Sequence, residues 1–365
     1  MSDQKSIPTV YMRGGTSKGL LFNKKDLPSD RKILSQYLLS AMGSPDTRQI
    51  NGMGGATSVT SKVCIISKSK EPGIDIDYLF AQVVVDQAIV DFGPTCGNML
   101  SAVGPYSIEQ GLINAEMDVT KIIIKAVNTG SIIEAIVPTP NKKVKYSGNL
   151  KIAGVPGEGA AILLKFKNLV GGATGKLLPA DETIIKIENI DVTCLDVSMP
   201  IVMANAQDFG ITGNETSAEL NSNQNLLDKI ERIRLLAAIK MGMGDVSGKV
   251  LPKFALLSKP LNGGSITSRY FTPSTCHETH AATGSNCIAS ACLIPGTVAS
   301  KISNLKVSGM NKILIEHPLG IIDCTVETSE KKIINNSYIK SCGIYRTARK
   351  IMDGNIYLPE NLVND

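Results

Sequence analysis

The chain has 365 residues, more than one ordinary core uses and enough for two domains. Hydrophobic residues make up 43% and charged residues 19%, the balance of a globular protein, and the cations behind a formal charge of +5 are scattered rather than gathered into a stripe. Only 4% aromatics and no Trp leave no stacking platform for single-stranded nucleic acid, and no run reaches the roughly 18 apolar residues of a membrane span.

Met1-Ser2-Asp3-Gln4-Lys5 leads straight into a strand, not into the apolar stretch of a secretory leader. A glycine-rich loop, Arg13-Gly14-Gly15-Thr16-Ser17-Lys18-Gly19, separates it from a second strand through Leu20-Leu21-Phe22. A helix over about Arg31–Met42 follows, then Asn51 and the Gly52-Met53-Gly54 segment, then a strand through Thr57–Ile66 that carries Lys62. Cys96 precedes a run, Gly97–Val103, that is small and apolar on every side and therefore predicts a buried helix. Lys121–Val127 and Ser131–Val137 are short, β-branched strands.

The second half repeats this order: an apolar strand through Val202–Phe209, a helix over about Leu220–Met241, a strand at Lys253–Ser258, a second buried helix over Ser285–Leu293, and strands at Lys312–Glu316 and Gly320–Val326. Four anchors recur in register. Leu20–Leu27 resembles Val202–Phe209; Gly52-Met53-Gly54 through Ser67 resembles Gly242-Met243-Gly244 through Ser258. Cys96–Ala102 resembles Thr283–Ala289, and Gly175-Lys176-Leu177-Leu178-Pro179 resembles Gly354–Pro359. The fold class is therefore α+β and duplicated: two similar domains, 1–185 and 186–365, each a curved, mostly antiparallel sheet around one central helix. The final strand packs on its own half or crosses to the other. A cleft between the halves, with both helix N-termini facing inward, is the expected site.

Cys96 falls at the opening of the first central helix, where free N–H groups and partial positive charge favour a thiolate and a bound carboxylate. Lys62 is a charge inside a strand, where partial burial eases loss of its proton and suits it to act as a base. Arg13 forks onto carboxylates, and Thr16 and Ser17 offer hydroxyl and backbone donors. Cys64, Cys194 and Cys324 read as small buried hydrophobes. Gly171–Leu177 has too few residues between its glycines, and Leu in place of Ser or Thr, for an ATP loop. Cys276-His277-Glu278-Thr279-His280 lacks a partner pair for zinc, so Thr279 and His280 are better placed as substrate-binding groups. Gly15-Thr16-Ser17-Lys18-Gly19 matches the letters of a hydrolase elbow but leads into a strand, not a helix. Eight cysteines without a CxxC pair fit reduced thiols in a cytoplasm.

Arg13–Gly19, Gly52-Met53-Gly54-Gly55-Ala56-Thr57-Ser58, Cys96-Gly97-Asn98-Met99 and Thr279-His280 through Ile294-Pro295-Gly296-Thr297 resemble the PrpF family of 2-methylaconitate isomerases, 4-oxalomesaconate tautomerases and methylitaconate isomerases. The resemblance implies a diaminopimelate-epimerase-like fold, no metal, no cofactor, a homodimer, and a place in propionate catabolism through the methylcitrate cycle. It also implies an acid/base pair matching Lys62 and Cys96, with Arg13, Thr16, Ser17, Asn51, Gly97, Asn98, Thr279, His280, Gly284 and Ser285 around the substrate. The expected reaction is a proton shift in a small unsaturated tricarboxylate such as 2-methylaconitate or aconitate. A 4-oxalomesaconate-type tautomerase, an amino-acid epimerase and a non-catalytic carboxylate binder are the alternatives. Two-base racemases of this fold place a cysteine at each central helix. Here the second position is Thr283, with Cys287 about a turn further in, which favours one-sided proton transfer. Which of Lys62 and Cys96 is the base stays open, as do the roles of Lys253 and Cys287.

Overall fold

A computed structural model describes residues 3–360 apart from 273, 304, 306–308 and 330–333. The chain divides into two compact units, Met1–Leu164 with Tyr345–Asp365, and Lys165–Ile344. The junction lies earlier than residue 185, and the C-terminal strand belongs with the first unit because it pairs along the first strand.

The first unit runs β1 (Gln4–Gly14), β2 (Ser17–Asn23), α1 (Arg31–Met42), β3 (Lys62–Lys68), β4 (Ile76–Val83), β5 (Val90–Asp91), α2 (Gly97–Glu109), β6 (Asp118–Ala126), β7 (Ile132–Thr139) and β8 (Ile162–Lys167). The second runs β9 (Ile185–Ile187), β10 (Ile190–Val197), β11 (Met199–Asn205), α3 (Ser217–Ser222), α4 (Gln224–Lys240), β12 (Lys253–Ser258), β13 (Ile266–Phe271), α5 (Ala282–Leu293), α6 (Val298–Ser303), β14 (Met310–His317), β15 (Gly320–Thr328) and β16 (Ile339–Arg346). β17 (Ala348–Pro359) then returns antiparallel to β1, pairing Arg13 with Arg349 and Gly14 with Ala348.

The duplication is visible in the pairing. In the first unit β2 runs parallel to β3, β3 antiparallel to β4, β4 parallel to β6 and β6 antiparallel to β7. In the second, β11 runs parallel to β12, β12 antiparallel to β13, β13 parallel to β14 and β14 antiparallel to β15. Gly19 faces Lys62 in one ladder and Ile201 faces Lys253 in the other, so the two lysines hold equivalent positions. Asn23 and Asn205, at matching strand ends, each cap a short 3-10 turn with the side-chain oxygen.

Alternation along the strands sets the two faces of the first sheet. Leu20, Phe22, Val63, Ile65, Ala81 and Val83 pack against Leu34, Leu38 and Met42 of α1. The opposite face meets α2, whose residues Met99–Ser107 are all buried. Gly14 makes that approach: a Cβ there would lie 2.6 Å from the carbonyl oxygen of Asn98. In the second unit α5 is likewise buried on every side, while Leu226, Ile230, Ile233 and Ala237 of α4 cover Val192, Val202, Phe254 and Leu256.

The helix expected over Leu220–Met241 is two helices. Asn223 ends α3, and its side-chain oxygen accepts the Leu226 N–H to cap α4, while Thr216 and Glu219 form a reciprocal capping box at the start of α3. Among the described residues no helix is long and apolar enough to cross a membrane.

Candidate active site

The site of the first unit is built on the sheet face that meets α2. Lys62 opens β3, and alternation puts Cys64 on the same face; across the ladder Gln82 stands opposite Lys62, Phe80 opposite Cys64 and Tyr78 opposite Ile66. Lys62 is only 8% exposed. Its Nζ donates to Gln82 Oε1 at 2.7 Å and lies 5.1 Å from the centroid of the Phe80 ring.

Cys96 is the N-cap of α2 and is partly exposed, and its side chain makes no capping hydrogen bond. Its carbonyl accepts the Leu100 N–H at 3.0 Å and the Tyr78 hydroxyl at 3.3 Å. The thiol therefore sits at the electropositive end of a 13-residue helix without being consumed by the cap.

Cys64 joins the two groups. Burial pushes its thiol far up, Cys96 pushes it further, and Tyr78 and Lys62 pull it back, so all three lie within electrostatic reach. Burial likewise raises Tyr78 well above its ordinary value, with Cys64 and Cys96 adding to the rise. Cys64 is thus a thiol that burial keeps neutral.

Gly15-Thr16 forms a two-residue turn between β1 and β2, with Gly14 paired to Ser17. Gly15 has φ +53°, and a Cβ there would meet Asn98 Oδ1 at 2.3 Å. Asn98 Nδ2 donates to Thr16 Oγ1 at 3.0 Å, and Arg346 Nε donates to Asn98 Oδ1 at 3.1 Å. The Gly15 N–H goes to the Thr347 carbonyl. The structure thus brings Thr16, Gly97, Asn98 and Cys96 together at the start of α2, with Ser17 buried beneath at the head of β2.

Arg13 is placed differently. Alternation sets it on the face of β1 opposite Gly14 and α2, and its Nη1 donates to the carbonyls of Gly15 and Thr347, both at 2.9 Å. Burial, then the Arg349 guanidinium opposite, lowers its hold on the proton. Asn51 lies exposed in the turn after Ile50.

The remaining sequence candidates lie in the second unit. The Thr279 N–H donates to His277 Nδ1 at 3.0 Å. His280 is buried, with Nε2 3.2 Å from Ser268 Oγ, Nδ1 3.1 Å from the Ala281 carbonyl and its ring 4.8 Å from Tyr270. Gly284 is glycine for packing, since a Cβ would lie 2.6 Å from the Tyr270 ring, and Ser285 donates to the Ala282 carbonyl of its own helix. Ala281, not Thr283, caps α5. Thr283 Oγ1 points to Met199 Sδ at 3.8 Å. Cys287 is fully buried on the Leu195 carbonyl, its thiol pushed well up by burial. Lys253, the counterpart of Lys62, is lowered by burial and by Arg234.

The phosphate-loop look-alike also resolves. The amides of Ala173 and Thr174 and the Thr174 hydroxyl all donate to Asp196 Oδ2 at 2.9 Å, so a carboxylate of the chain itself fills the place an anion would take. Among the described residues no group of three His, Cys, Asp or Glu side chains could hold a metal ion. Sequence reasoning missed Gln82, Tyr78, Arg346 and Thr347. Their signal is pairing across long sequence separations, which no local motif displays.

A duplicated sheet, each copy with a buried helix, is the fold of racemases and epimerases. A hydroxyproline epimerase from Agrobacterium vitis has this fold, with TM-score 0.54 at 11% identity over 99% of this chain and 94% of that one. The chain belongs to the PrpF family, matching its model, described as PrpF protein, over residues 4–359. It is 44% identical to a 4-oxalomesaconate tautomerase of Pseudomonas putida over 96% of each chain. It is 32% identical to a 2-methyl-aconitate isomerase of Shewanella oneidensis over 98% of each. The crystal structure of a methylitaconate-delta-isomerase aligns with TM-score 0.89 at 35% identity, covering 99% of this chain and 97% of that one. Its relatives are isomerases, and so is this chain.

Proposed function

We propose that the protein moves a proton along a small unsaturated polycarboxylate, with Lys62 and Cys96 as the proton carriers. The observation that supports this reading is a nearly buried Lys62 amine, held by Gln82 on the sheet face that meets α2, together with a partly exposed Cys96 thiol at the N-terminus of that helix with no capping bond. One of the pair removes a proton from a carbon activated by the double bond and by a carboxyl or keto group. The electron pair delocalises into a dienolate, whose charge is stabilised by the N–H groups of α2 and by Thr16 and Asn98. Returning the proton at another carbon moves the double bond; returning it to oxygen gives an enol. Isomerase and tautomerase outcomes therefore share one intermediate.

The greater likeness to the oxalomesaconate enzyme, 44% against 32% for the methylaconitate enzyme, moves the favoured substrate from 2-methylaconitate to a 4-oxalomesaconate-type keto acid. A two-thiol epimerase is disfavoured because Cys287 is sealed in the second core and Thr283 does not ionise near neutral pH. None of the eight cysteines is joined in a disulfide, which fits a reducing setting such as a cytoplasm.

The test is proton NMR in D₂O with 4-oxalomesaconate, 2-methyl-trans-aconitate and trans-aconitate, using wild type, Cys96→Ser and Lys62→Met. Deuterium entry with isomerisation in wild type, lost in both variants, is the expected result. Binding without exchange of any of the three acids would make the protein a carboxylate binder, and exchange surviving both substitutions would move the site.

A further inference from the structure

We infer that Gln82 is a positioning residue for the Lys62 amine, an inference that rests on the proton-shift reading above. Gln82 stands directly opposite Lys62 in the β3–β4 ladder, so the two side chains share a face. Its amide has one available orientation. Nε2 gives its two hydrogens to the carbonyls of Ser58 at 3.1 Å and Ser61 at 2.8 Å, which leaves Oε1 as the group that meets Lys62 Nζ at 2.7 Å.

The frame behind this amide is itself fixed. Ser61 Oγ donates to the Val83 carbonyl at 2.9 Å and accepts from Gln49 Nε2 at 2.7 Å, and Gln49 Oε1 accepts the Ala56 N–H at 2.9 Å. Gly54 leaves room for Gln49, since a Cβ there would lie 2.2 Å from its side chain. The glycine-rich segment at 52–58 thereby acquires a role: it holds the frame that aims Gln82.

A neutral acceptor suits a lysine that must both take and give a proton. A carboxylate at position 82 would pair with the ammonium and keep the proton on it, whereas an apolar group would leave a nearly buried ammonium without its acceptor. Glutamine fixes the amine in place and adds no counter-charge. The titratable group within electrostatic reach of Lys62 is Cys64 on its own strand, which in turn reaches Tyr78 on β4 and Cys96 at the N-cap of α2; Cys64 and Tyr78 are kept neutral by burial.

The experiment measures kcat and KM from about pH 6 to about pH 9.5 for wild type, Gln82→Glu, Gln82→Met and Lys62→Met, with whichever of 4-oxalomesaconate and 2-methyl-trans-aconitate exchanges faster. Gln82→Glu, nearly the same shape and still an acceptor but with a negative charge beside the amine, is expected to move the pH–rate profile upward by about one pH unit or more. Gln82→Met is expected to move it downward and to cut kcat about tenfold or more, with KM within about threefold. Profiles of both variants that superimpose on wild type, beside an inactive Lys62→Met, overturn the inference alone. An active Lys62→Met overturns the inference together with the reading beneath it.

Discussion

The Tyr78 hydroxyl, buried on β4, donates to the carbonyl of Cys96 at 3.3 Å, tying the sheet to the residue that opens α2. The thiol of Cys96 has no capping duty, so this contact on its backbone is one of the few that fix where the sulfur lies. Tyr78→Phe keeps the ring and removes the donor. A single neutral hydrogen bond contributes about 0.5–1.5 kcal/mol to stability, so the melting temperature should fall only slightly. Turnover should fall further than stability implies, by about threefold to thirtyfold in kcat with KM little changed, because a small shift of the proposed proton carrier is costly. Steady-state kinetics beside thermal melts measure both.

Gly15 carries a second positional constraint. With φ +53° and a Cβ position 2.3 Å from Asn98 Oδ1, it admits no side chain without moving Asn98 away from Thr16 and Arg346. Gly15→Ala should lower stability by about 1 kcal/mol or more from backbone strain and crowding. It should also raise KM by about tenfold as the donors around α2 lose their alignment. Unchanged KM in a folded variant would show that the Thr16–Asn98 pair is not used by the substrate.

These relationships mark what the sequence discloses and what it does not. Cys96 stood out because glycine and asparagine follow it at a helix start, and Lys62 because it is a charge in a run that reads as strand, although the strand itself starts at Lys62. The repeat exposed the fold because Asn23 and Asn205, or Lys62 and Lys253, recur at equivalent ladder positions. Gln82 and Tyr78 were invisible: each lies in a strand that looks ordinary until β4 is laid against β3. Arg346 and Thr347 were hidden because the strand after them returns to pair with the other end of the chain. Arg13 shows the converse. Its loop composition suggested a carboxylate grip, and a period of two along β1 sets it on the face away from α2.

On that other face Arg13 and Arg349 stand directly opposite each other, with Lys18 opposite Arg13 on the next strand. Like charges in register repel, and the lowered proton affinity of Arg13, caused first by burial and then by Arg349, registers that repulsion. Arg349→Glu should convert it to attraction. Because Arg349 is exposed the gain is modest, about a few tenths of a kcal/mol. Wild type should gain stability as salt rises from low to moderate concentration, and the variant should gain less or lose. Thermal melts across a salt series test this, and equal slopes would refute it.

His277 gives the second unit a dependence on acidity. Burial, opposed in part by its bond with Thr279 and by Glu278 and reinforced by Lys253, lowers its pKa below the ordinary 6.5. The unfolded chain therefore binds a proton at a pH where the folded chain still resists it. Stability from this group is complete above about pH 6.5 and is lost as the pH falls from there toward the folded value. His277→Asn keeps an oxygen to accept the Thr279 N–H and removes the titration, so its denaturant midpoint should decline less between about pH 6.5 and about pH 5 than that of wild type. Parallel curves for the two proteins across the window would mean that His277 is protonated as easily folded as unfolded.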